Sequence, residues 1–320
     1  MRYLVVISLA ALLAAQDSTR TLATYTYDVH GRRVLAATAG SSTGSGGSFR
    51  AETLQSVNGR TVPLEAVEEK VISEGPEGKV IERLVRRYDA NGRPGQSEKI
   101  RIEERKDAAG ATTVVTSVYD SDLNGRYALR ERGTARTAKS GDVVQSETVI
   151  ERPNLSGSLD LFEKRQGVQT GTADNQLTEV AVYRRDTNGG LLQAERLTSQ
   201  TVVENGQTTQ TSATYNTNST GKLELANQRV SQIQKNPDGS EVEVVSIYGG
   251  NLPARAASGY SKGPALREQQ IIERKPGPGD SLVETFSVGR PNLESGTLGP
   301  VQKISETVCT GKCQPEPEKK

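Results

Sequence analysis

The sequence predicts an all-β protein: an antiparallel meander of repeated long β-hairpins, about 32 residues per hairpin, in an extended and partly single-layer sheet. Three observations carry this. A glycine-centred turn returns at a near-constant interval. A second turn falls near the middle of each unit. The segments between turns are rich in β-branched residues and show no sustained 3.6-residue apolar period. A β-propeller is the alternative, with two hairpins per blade, and ranks second because typical blades are shorter than that.

The chain opens with a leader. Met1-Arg2 is basic, Tyr3 to Ala15 is apolar, and the polar Gln16-Asp17-Ser18 follows. That layout predicts a signal peptide over residues 1–15, too short for the ~20 apolar residues of a membrane-spanning helix. No transmembrane span is expected after its removal. The location implied is secreted, periplasmic or cell-surface. Residues 16–75 read as divergent repeats with a Gly/Ser-rich loop over 39–48, and Val62 to Val71 is the best short-helix candidate. Residues 76–250 hold the regular hairpins, 251–308 a divergent set of repeats, and 309–320 a disulfide loop and a disordered tail.

The turn glycines are Gly31, Gly59, Gly92, Gly125, Gly157, Gly189 and Gly221, separated by 28, 33, 33, 32, 32 and 32 residues. Asn-Gly is the commonest form, and glycine supplies the positive φ of a tight hairpin. The mid-unit turns include Asp107 to Gly110, Lys139 to Asp142, Glu204 to Gln207 and Asn236 to Gly239. Tyr127, Leu159, Leu191 and Leu223 keep the same 32-residue beat. So do Glu131, Glu163 and Glu195, which Glu98 leads by 33 residues, and the basic series Arg132, Lys164 and Arg196. A residue that recurs with the repeat is expected to be structural, so these acids and bases read as a cross-strand charge ladder. Several strands are polar on both faces, Gln207 to Tyr215 being the extreme, which argues against a sandwich core.

Tyr88-Asp89-Ala90-Asn91-Gly92-Arg93, with the looser Thr24 to Val34 and Tyr119 to Arg126, resembles the YD repeat of RHS-like secreted and surface proteins. The resemblance implies a surface β-strand spiral whose repeats are not catalytic. Its usual unit of about 20 residues is shorter than the period here.

Composition excludes several kinds of chemistry. The 320 residues carry 40 Lys+Arg against 39 Asp+Glu, one His, two Cys and 4% aromatics. Balanced charge gives no long-range pull on nucleic acid. His30, the lone histidine, sits at a turn position and cannot assemble a zinc site with two distant cysteines. Cys309 and Cys313 are expected to form a disulfide in an exported chain. No cofactor, metal or catalytic residue is predicted. The function expected is a non-catalytic surface, matrix or periplasmic scaffold that meets a protein or glycan partner, with a carbohydrate-active enzyme on a propeller or solenoid as the alternative. An outer-membrane barrel is disfavoured by charge on both strand faces and by scarce aromatics.

Overall fold

The computed structural model describes residues 18–27, 32–43, 48–57, 60–122, 124–186, 188–249, 255–256, 259–260, 264–279, 281–292, 297–311 and 313. Residues 1–17, where a signal peptide is expected, His30, Gly31, residues 44–47 of the expected Gly/Ser-rich loop, Gly59 and residues 314–320 lie outside them. The strands are β1 (Ser18–Tyr27), β2 (Arg33–Thr43), β3 (Phe49–Val57), β4 (Arg60–Gly75), β5 (Gly78–Tyr88), β6 (Pro94–Lys106) and β7 (Thr112–Ser121). Next come β8 (Tyr127–Ser140), β9 (Val143–Pro153), β10 (Leu159–Thr172), β11 (Asn175–Arg185), β12 (Leu191–Glu204), β13 (Gln207–Thr217), β14 (Leu223–Lys235) and β15 (Glu241–Gly249). A two-residue pair, β16 (Arg255–Ala256) and β17 (Gly259–Tyr260), precedes β18 (Ala265–Pro276), β19 (Leu282–Gly289) and β20 (Gln302–Gly311).

All but β16 and β17 belong to one 18-stranded sheet among the described residues. Each strand of this sheet pairs antiparallel with the one before it in the sheet, β18 with β15, and β20 then pairs antiparallel with β1 from Arg20↔Gly311 to Thr26↔Ser305. The meander is therefore closed into a barrel, not an open sheet and not a propeller. Among the described residues, closure leaves the 18-stranded sheet no unpaired edge strand on which a second chain could build. Val62 to Val71 is strand, within β4, not helix. Ala39 to Thr43 is the end of β2, not linker.

The wall is one layer thick. Among the described residues only Val182 (2%) and Val245 (0%) are large, fully buried side chains. The chain exposes 21639 Å², against roughly 13,000 Å² for a compact globule of this mass. Strands make extensive contact only with their ladder neighbours. For a round cross-section, 18 strands about 4.8 Å apart and tilted near 40° give a backbone radius of roughly 18 Å. Side chains do not fill a space of that width.

Residues opposite one another in a ladder point to the same face, so each face can be followed round the wall. One face runs Val85, Glu98, Asp120 and on to Glu131, Ile150, Glu163, Val182 and Glu195. It also holds Leu22, Ala51, Glu69, Ser231, Val245, Ser305 and Cys309, all buried. The other face has few buried strand residues, among them Ala213 and Ser121. Side chains converge on the concave side of a closed sheet and splay on the convex side, so the first face is the inner one.

Turns explain why the repeat is so regular. In Asp89–Arg93 the Asp89 carboxylate accepts the N–H groups of Asn91 (2.8 Å) and Arg93 (2.9 Å), and the Gly92 N–H donates to the Asp89 carbonyl (2.9 Å). Those backbone donors, Arg93 first, hold the exposed Asp89 carboxyl below its ordinary pKa. The same backbone bonds recur at Asp122–Arg126, Asn154–Ser158, Asp186–Gly190 and Asn218–Lys222. The glycine sits at positive φ in each, 76° at Gly125. A Cβ added at Gly125 meets open space, so Gly125→Ala is expected to cost only the left-handed backbone, about 1 kcal/mol. Gly171 (φ 99°) differs, because a Cβ there would lie 2.0 Å from the Asn175 carbonyl oxygen. Gly171→Ala is expected to lower the urea midpoint well beyond Gly125→Ala; equal midpoints would contradict the geometry.

The barrel has two unlike rims. β1 begins and β20 ends at the terminal rim, where the connections are short, such as Pro76-Glu77 and Asn205-Gly206. The far rim carries Asp/Asn-x-x-Gly turns, which Asp107–Gly110 and Asn236–Gly239 repeat at the terminal rim, and the two longer connections, β15 to β18 and β19 to β20.

Candidate functional site

The site that this architecture offers is the bore, and its far mouth is ringed by charge. A β-bulge stands one residue before Glu131, Glu163, Glu195 and Asn227, skipping Arg130, Phe162, Ala194 and Ala226. Each bulge re-aims the start of an even-numbered strand just inside the far rim. The glutamate or, at Asn227, the amide that follows faces the bore.

Arg152 Nη2 meets Glu131 at 2.9 Å. Glu163, 3% exposed, accepts Arg165 Nε at 2.6 Å and Arg184 Nε at 2.9 Å, and Arg184 also reaches Glu195 at 2.8 Å. Arg130 bridges Glu98 and Asp120, both at 2.9 Å. Glu65–Arg87 and Glu268–Arg290 continue the ring. No buried side-chain polar atom among the described residues lacks a hydrogen-bond partner. The inner mouth is thus a run of alternating carboxylate and guanidinium, with both signs presented together.

The ladder expected from sequence is split between faces. Glu131, Glu163 and Glu195 face in. Arg132, Lys164 and Arg196, one residue later, must face out. Lys164 meets Glu147 and Arg196 meets Glu179 on the outer face, while Arg132 lies opposite Glu151. The partners of the inner acids are Arg130, Arg152, Arg165 and Arg184, which sequence reading missed. Their signal was present in Arg152 and Arg184, which lie 32 residues apart.

Gly92, Gly125, Gly157, Gly189 and Gly221 all lie in far-rim turns at positive φ, while Gly31 and Gly59 fall outside the described residues. The true anchor of the turn is the Asp or Asn three residues earlier: Asp89, Asp122, Asn154, Asp186 and Asn218. That explains the Tyr88-Asp89 match without a YD repeat. The aspartate is a turn residue, and it recurs where no tyrosine precedes it. A spiral leaves its ends free, whereas this chain bonds its last strand to its first, so the YD-repeat reading is overturned.

Cys309 and Cys313 are bonded, and their disulfide packs with Leu22, Ala39 and Leu282 at the terminal rim. It pins the last strand where β20 meets β1. Replacing both cysteines by serine is expected to cost about 2 kcal/mol, the closure entropy of so small a loop. An unchanged urea midpoint would show that the seam needs no pin. Among the described residues no group of three or more His, Cys, Asp or Glu could hold a metal ion.

No family model and no curated protein matches this chain. Solved structures with a similar course include Salmonella typhi OmpF in complex with daunomycin, at 9% identity and a TM-score of 0.47, covering 92% of this chain and 97% of that one. Pseudomonas aeruginosa OccK5 (OpdH) matches at 9% identity and a TM-score of 0.45, covering 92% and 96%. Similarity at that level says nothing of shared ligand or placement.

The closed wall itself overturns the expected functions. Among the described residues there are no blades or coils on which a propeller or solenoid enzyme could be built. A surface, matrix or periplasmic scaffold predicted from an open meander loses its premise once the sheet closes on a hollow bore.

Proposed function

We propose that this chain is a channel of the cell envelope, a hollow barrel exported by its leader that lets solutes pass along its bore. The observation that carries the reading is the β1–β20 ladder, which closes 18 strands around a space too wide for their own side chains. The activity is passage, not turnover.

Placement in the outer membrane has structural support. An 11-residue strand such as β5, tilted near 40°, rises roughly 28 Å, close to the apolar thickness of a bilayer. Both ends of the sheet lie at the short-turn rim and the longer connections at the other, as in bacterial outer-membrane barrels. On the outer face near the far rim, Tyr25 lies opposite Leu35, Tyr119 opposite Leu129, Tyr215 opposite Leu225 and Tyr248 opposite Leu266. Such a belt suits a membrane interface.

A second placement, as a conduit standing in the aqueous periplasm, is favoured by the outer face below that belt. Lys99–Glu82, Arg101–Glu103, Lys164–Glu147 and Arg196–Glu179 lie there. Each Arg or Lys on a lipid face would cost about 2–4 kcal/mol at the midplane. Planar-bilayer recording and carbonate extraction of the refolded mature chain separate the two. Stepwise conductance with retention in the membrane supports the first. A soluble particle whose small-angle scattering shows a hollow cylinder supports the second. A solid particle that does not conduct would sink the channel reading.

A further inference from the structure

We infer that the bore takes an acyl-chain amphiphile, its chain along the inner wall and its charged head at the far-mouth ring. This rests on the reading of the barrel as a passage and names its substrate class.

The strand alternation is the reason. In β6, Lys99, Arg101 and Glu103 face out while Ile100 and Ile102 face in, opposite Val118 and Thr116 of β7. In β10 to β12, Val180 and Leu197 face each other inside, whereas Glu179 and Arg196 are outside. Small hydroxyl residues separate these inner aliphatics: Thr178 lies opposite Ser199, and Thr201 opposite Gln210. The bore thus carries many aliphatic and hydroxyl groups on its inner wall, interrupted by the charged pair Glu69–Arg83 and by the inner cluster of Arg274 with Glu241, Glu243 and Glu284. Aliphatic rows bordering a water-filled bore stay hydrated unless something apolar covers them. A sugar or an inorganic ion would leave them wet.

The occupant must also enter end-on, because the β1–β20 ladder seals the side of the tube. A flexible chain meets that condition. One leaflet's acyl chain is about 15 Å long, within the roughly 28 Å bore. The mouth ring sets the head group. Glu131–Arg152 and Glu163–Arg184–Glu195 offer both signs side by side, which matches a zwitterion better than a lone anion or cation.

The test titrates the folded mature chain with N-phenyl-1-naphthylamine, then displaces the probe with hexadecylphosphocholine below its micelle concentration. Phosphocholine, which lacks the chain, is the control. Saturable enhancement, reversed by hexadecylphosphocholine and not by phosphocholine, is expected. The inner variant Ile100→Thr/Ile102→Thr/Val180→Thr/Leu197→Thr keeps β-branched strand formers and is expected to weaken binding about tenfold or more. The outer variant Val168→Thr/Leu177→Thr, at two exposed positions, is expected to bind as the parent does. Absence of probe binding to a chain with a full strand signal in circular dichroism overturns the inference, as does equal weakening by the two variants. Conductance is measured in parallel. Conduction without amphiphile binding defeats this inference and leaves the channel; binding without conduction defeats the channel.

Discussion

Val308→Pro is expected to abolish the folded barrel, whereas Val308→Thr is expected to leave it intact. Val308 lies opposite Ala23 of β1 and Val283 of β19, so β20 holds the seam on one side and the meander on the other. Proline removes an N–H from that strand and its ring crowds the neighbouring carbonyl, a cost of about 3 kcal/mol or more in a central strand. The consequence exceeds one hydrogen bond. Once the seam parts, β1 and β20 both become open edges, and an open edge recruits other chains. Size-exclusion chromatography should show aggregates for the proline variant and a single species for the threonine variant. A monomeric, strand-rich Val308→Pro chain would mean that closure is dispensable.

Glu163→Leu is expected to cost roughly 2 kcal/mol, the largest effect of any single carboxylate on the inner ring. The side chain is 4% exposed and both of its oxygens accept from arginine. Removing it strands the Arg165 guanidinium and leaves Arg184 with Glu195 alone. A fully buried pair would lose more; here each arginine is nearly half exposed, and water recovers part of the loss. Glu179→Gln, which breaks an exposed outer pair with Arg196, is expected to cost under about 0.5 kcal/mol. Urea midpoints decide the order. If the two variants melt alike, the inner ring is no more than surface charge.

The hairpin period was legible because its cause is local. An Asp or Asn whose side chain caps its own turn, with glycine three residues on, is complete within five residues, as at Asp89–Arg93 and Asp122–Arg126. Closure was not legible, because it joins Thr24 to Thr307, 283 residues apart, and no short window records that pairing. Val62 to Val71 read as helix because its acids cluster. In the barrel Glu65, Val67, Glu69 and Val71 share one face and Ala66, Glu68 and Lys70 the other, so the true period is two. The charge ladder was half legible. Its beat is real, but adjacent residues in a strand point apart, so Glu163 followed by Lys164 belongs to two different ladders. The bulges before Glu131, Glu163 and Glu195 carry no distinctive residue, since Arg130, Phe162 and Ala194 share nothing but position.

The 32-residue unit also sets the gauge of the tube. Each unit adds one strand up and one strand down, so excising a whole unit keeps β1 and β20 antiparallel and still able to pair. Excising half a unit would bring them together parallel, out of reach of the same ladder. The sequence is therefore divisible at its turns, and its bore can widen or narrow only in steps of a hairpin.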